Sequence, residues 1–102
     1  MAQLLVTYRT PADAKAFDNY YFETHVPLVK KIPGLRKLVL SDGPVGTPAG
    51  ASGVHLIAEL HFDDVAALQA GLGSAEGQAA AADAASFMGE GDSLLFFGIR
   101  EV

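Results

Sequence analysis

A chain of 102 residues that is half apolar and 19% charged can build one hydrophobic core but not two, and it is neither a disordered segment nor a solvated tail. Twelve acidic against seven basic side chains leave a net charge of −5, which repels phosphate backbones and argues against a nucleic-acid partner. With no cysteine, disulfides, thiolate catalysis and zinc–thiolate sites are excluded.

The chain opens MAQLLVTYR, with no basic stretch ahead of a long apolar one, and no run approaches the ~20 apolar residues that cross a bilayer. A cytoplasmic location without a membrane partner is the expectation. Residues 3–9 (QLLVTYR) read as a strand. TPAD then reads as a helix start, with Thr10 as the cap, Pro11 at the first helical position and Asp13 as the capping-box acid. Ala14, Phe17 and Tyr21 recur at helical spacing. Because Pro27 has no amide and biases its predecessor out of the α region, the helix is expected to falter near Val26. A last turn around Leu28, Val29 and Ile32 ends at Pro33–Gly34, and residues 35–41 (LRKLVLS) form a second strand.

Residues 42–53 (DGPVGTPAGASG) lack periodicity and read as a loop. In the strand at 54–62 (VHLIAELHF), Leu56, Ala58, Leu60 and Phe62 alternate with His55, Ile57, Glu59 and His61. Asp63 is placed as the cap of a helix striped by Val65, Leu68 and Leu72. Gly71 and Gly73 interrupt that helix, and Ser74 with Glu76 restarts it into the alanine-rich AEGQAAAADAASFM. Residues 92–101 close the chain with the apolar SLLFFGIRE. Strand, helix, strand occurs twice, which predicts an α+β fold of the ferredoxin-like βαββαβ type, one domain over 1–102, with a four-stranded antiparallel sheet and its helices on one face.

Two helices cover only one side of such a sheet. The first and last strands are apolar on both faces, and at strand spacing the uncovered side amounts to roughly 300 Å² or more, near the limit for a monomer. A second copy of the chain is the expected cover, closing two sheets into a shared barrel with an internal cavity.

Two segments, FDNYYFETHVPLVKKIPGL and AELHFDDVAALQAGLGSAEGQAAAADAASF, resemble the EthD family of dimeric α/β-barrel proteins. The resemblance runs from Gln3 to Arg100. It is most specific at Tyr21-x-x-x-His25-x-Pro27, at Pro33-Gly34-Leu35 and at Glu59–Asp64. It implies a fold similar to antibiotic-biosynthesis monooxygenases and muconolactone isomerases, in a family whose members are often labelled reductases or oxidoreductases, and so a catabolic oxidoreductase or isomerase. It also implies that His25 lies near the mouth of the barrel cavity. The name derives from a gene associated with degradation of an ethyl alkyl ether.

His25 stands four residues after Tyr21, on the same helical side, where the phenol could hydrogen-bond the imidazole and fix its tautomer. As a class, imidazoles suit proton transfer near neutral pH, which makes His25 the candidate general base and Tyr21 its catalytic partner. Packing alone is the plainer alternative. On the half-polar strand, Glu59 and His61 are separated by about 7 Å and His55 and Glu59 by roughly 13 Å, too far for one metal to hold all three. These three are read as lining the cavity or bonding across a dimer, with no metal site, and Tyr8 as an inward phenol that orients a ligand. Tyr20, Phe17 and Phe22 read as packing. The loop glycines match neither a P-loop nor a dinucleotide fingerprint, so no cofactor is expected, and any oxidant must come from a partner or the substrate. The reading is therefore a homodimeric enzyme acting on a small apolar or aromatic molecule. Its alternative is a non-catalytic carrier of a hydrophobic metabolite for a partner oxidase.

Overall fold

A computed structural model describes all 102 residues. Strand β1 (Ala2–Arg9) leads into α1 (Ala14–Tyr20), a π-helical turn (Tyr21–His25) and α2 (Val26–Val29). Strand β2 (Lys37–Leu40), a two-residue hairpin of β3 (Gly46–Thr47) and β4 (Gly50–Ala51), and β5 (Val54–Phe62) follow. Helices α3 (Val65–Gly73) and α4 (Ala75–Ala85) and strand β6 (Ser93–Gly98) complete the chain. The main sheet runs β2-β5-β1-β6 with every neighbouring pair antiparallel, the ferredoxin-like order read from the sequence.

Several boundaries differ from the sequence reading for local reasons. Asp13 is itself the cap of α1, its carboxylate accepting from the Ala16 amide at 3.0 Å, while the Thr10 hydroxyl turns away to the Gly53 carbonyl. Likewise Asp64, not Asp63, caps α3 by accepting from Ala67. Asp63 instead forms a two-pronged pair with the Arg36 guanidinium at 2.9 and 2.6 Å. The second strand is shorter than 35–41, the last shorter than 92–101, and residues 42–53 hold the small hairpin rather than pure loop. The restart at Ser74 is as read: its hydroxyl accepts from the Gly77 amide and opens α4.

Pro27 does not break the helix. The chain widens into the π turn, where the Val26 amide reaches back five residues to the Tyr21 carbonyl, and Pro27 enters the opening of α2, where a missing amide is tolerated.

Alternation sorts the sheet into two faces. Leu4, Val6 and Tyr8 of β1 and Leu56, Ala58, Leu60 and Phe62 of β5 are buried under the helices, with Ile32, Val29 and Leu68 against them. The far face pairs Leu5 with Glu59 and Leu95, and Glu59 in turn with Val39. No element covers it: Leu95 is 60% exposed, and Phe97 and Val39 are exposed beside it.

Candidate active site

The π turn sets the site. It places Tyr21 and His25, four residues apart, both in the buried interior. His25 is only 4% exposed, yet its ring is not bonded to the Tyr21 phenol as the spacing had implied. The imidazole lies beside the Tyr21 ring at 5.2 Å, and its Nδ1 is held at 2.9 Å by the Asp83 carboxylate of α4. A carboxylate can only accept, so Nδ1 carries a proton, and the neutral imidazole has its lone pair on Nε2. The edge of Phe87 at 4.9 Å fixes the ring from another side.

Asp83 has a second donor, the Tyr20 hydroxyl, on its other oxygen. Burial alone would raise this carboxyl. The bonds from Tyr20 and His25, with the electrostatic pull of the imidazole, outweigh it and hold the group below its ordinary 3.8.

His25 lines an apolar cavity of about 170 Å³ inside the single chain, between the helix face of the sheet and α4. Leu4, Val6 and Ala58 form the sheet wall, and Gly77, Ala80 and Ala84 the helix wall. Tyr8 and Tyr21 are the other polar side chains on it. Burial is the main cause that pushes Tyr21 up to about 12, with the neighbouring Tyr8 hydroxyl pulling it back. Burial first, then Tyr21, raises Tyr8 further. Both phenols are therefore neutral donors at ordinary pH.

Tyr8, Tyr21 and His25 thus meet at one cavity, whereas His55, Glu59 and His61 do not join them. The shared strand face expected for those three fails at His55, because the β1–β5 register slips between Tyr8 and Arg9 and leaves His55 as the extra, unpaired residue on β5. His55 turns to the helices, bonding Asp18 through Nε2 at 2.7 Å and meeting Phe17 edge-on, beside a separate cleft. Glu59 and His61 lie on the far face, bonded to each other at 2.9 Å, with His61 Nδ1 buried and unpartnered. The cavity beside the imidazole is also not the space between two sheets: it needs no second chain to form. No three His, Asp or Glu side chains converge as a metal site would require, and no helix is long and apolar enough to cross a membrane.

Sequence reasoning missed Asp83 and assigned Tyr20 to packing alone. The available signal was that Asp83 is the one charged residue in AAAADAASF.

An EthD domain model matches residues 9–91. An uncharacterised 11.0 kDa protein from the thcB–thcC intergenic region of Rhodococcus erythropolis is 38% identical over 98 residues, spanning 94% of this chain and 92% of that one. The crystal structure of an ethyl tert-butyl ether D (EthD) family protein from Bacillus halodurans superposes with a TM-score of 0.89 at 39% identity, covering 98% and 99% of the two chains. A hydroxynitrile lyase from Passiflora edulis shares the fold, with a TM-score of 0.72 at 20% identity over 99% of this chain and 94% of that one.

Proposed function

The chain belongs to the EthD family, and from that premise we propose that it is a small homodimeric enzyme that moves a proton on an apolar or aromatic molecule held in the cavity. His25 is the general base, Asp83 sets its tautomer, and Tyr21 and Tyr8 steady the oxygen of the ligand. One observation carries the reading: a buried imidazole, oriented by a carboxylate through one nitrogen, on the lining of an apolar cavity. Nε2 accepts the proton from a C–H or O–H bond, Asp83 stabilises the imidazolium, and the proton returns to another atom of the same molecule. That closes the cycle as an isomerisation. An oxidation begun by the same deprotonation would pass its electrons to dioxygen or to a partner oxidase. The hydroxynitrile lyase of like fold supports a small-molecule enzyme. The homodimer rests on the uncovered face of Leu5, Val39, Leu95 and Phe97, and the cytoplasm is its proposed location.

The almost wholly apolar lining also favours the second reading, a carrier that shelters a hydrophobic metabolite. Exchange of the benzylic protons of phenylacetone in D₂O, followed by NMR, separates the two. The enzyme reading predicts exchange above the buffer rate that His25→Ala reduces by about 10²-fold or more while binding persists. Binding without exchange in the native protein supports the carrier.

A further inference from the structure

Resting on the reading of this cavity as a ligand site, we infer that its ligand is a neutral, single-ring molecule carrying a phenol or enol hydroxyl, and that Ala80 and Ala84 of α4 set its size. Three properties of the cavity lead there.

The first is volume. At about 170 Å³ the space is close to that of an apolar cavity of ~150 Å³ known to admit benzene, which is room for one ring. The helix wall fixes that limit. Gly77 has no freedom to vary, because a Cβ there would stand 2.2 Å from the Gly71 carbonyl oxygen. Ala80 and Ala84, both buried, are the positions where a larger side chain would project into the space.

The second is charge. No lysine, arginine, aspartate or glutamate lines the cavity, and the nearby Asp83 carboxylate is already engaged by His25 and Tyr20. A carboxylate or ammonium ligand would be stripped of water without a counter-ion, so a neutral ligand is selected.

The third is the sense of the hydrogen bonds. With Nδ1 donating to Asp83, Nε2 of the neutral ring is an acceptor that demands a donor from the ligand, while Tyr8 and Tyr21 line the same cavity with the neighbouring hydroxyls. A hydroxyl on the ring answers both, giving its proton to Nε2 and keeping its oxygen near the phenols. Toluene answers neither.

Titration calorimetry on the native protein with phenol, toluene, 2-naphthol, benzoate and benzylamine tests this without requiring turnover. Phenol is expected to bind at least tenfold more tightly than each of the others. His25→Leu, which has no acceptor, should lower the preference for phenol over toluene at least tenfold, and Ala84→Val should weaken phenol at least tenfold. Equal or tighter binding of benzoate, benzylamine or 2-naphthol in the native protein would overturn the inference, as would no binding of phenol. Should Ala84→Val not fold, the native panel and His25→Leu decide alone. Selective phenol binding without proton exchange in phenylacetone would leave this inference standing and remove the enzyme reading instead.

Discussion

At the scale of single residues, the imidazole depends on a carboxylate that the sequence did not advertise. Removing Asp83 leaves His25 buried without its acceptor, and Tyr20 loses the same partner. Asp83→Ala is expected to lower stability by about 1–3 kcal/mol in chemical denaturation. It should also slow phenylacetone exchange by more than it weakens phenol binding, because ring orientation and not cavity volume is lost. The pH dependence carries a sign that can be worked out. The Asp83 carboxyl is held below its ordinary 3.8 in the fold, so its contribution is complete above that value and is lost as pH falls through the lower folded one. The acid limb of the stability curve should be shallower in Asp83→Ala. The tyrosines act at the other end. All three are raised from 10.0: Tyr8 and Tyr21 chiefly by burial, Tyr20 chiefly by its bond to Asp83. Their contribution is present below 10 and lost as pH climbs toward the folded values. Absorbance at the phenolate band should therefore stay flat through pH 10 while the protein is folded and rise only above it. His25 and Tyr21 stood out in the sequence because four-residue spacing on a helix puts them together. Asp83 did not, because its partner lies 58 residues away and only the packing of α4 on the π turn joins them.

At the scale of elements, the joint between α3 and α4 holds the cavity wall in place. Ser74 caps α4, and Gly77, one turn on, lies so close to the end of α3 that the Gly71 and Leu72 carbonyl groups fall within 2.7 Å of where a Cβ would stand. These are backbone atoms and cannot swing aside. Gly77→Ala should cost about 3 kcal/mol, the upper part of the range for overpacking, and separate the two helices, as a thermal melt would show. The joint was legible because Gly71, Gly73 and Ser74 interrupt a helical stripe with the right chemistry. The π turn was not. Pro27 announces a disturbance, but the choice between a break and a widened turn depends on burying Tyr21 and His25 together, which is a tertiary term. The acid caps slipped for a similar reason: Asp63 and Asp64 are equal candidates locally, and Arg36, from a distant part of the chain, claims the first.

At the scale of the molecule, the two faces of one sheet are put to different uses. The order of strands and helices was readable from alternation and helical periodicity, and so was the surplus of apolar side chains. What could not be read was which face holds the cavity, because the side-chain pattern leaves both faces of β1 and β6 apolar and the answer lies in how high the alanines of α4 let the helix sit. The far face is the one that the proposed homodimer would cover. Sedimentation at micromolar concentration should give twice the 10.6 kDa chain mass, and Leu95→Lys, which puts a charge on the exposed β6 side of that face, should give the single mass while leaving phenol affinity within a few-fold. The site itself is judged most directly by a crystal structure of the protein soaked in phenol. The account predicts a ring in the cavity against Ala80 and Ala84, with its oxygen about 3 Å from His25 Nε2. An empty cavity, or a ring whose oxygen lies beyond the reach of Nε2 even through one water, would contradict it.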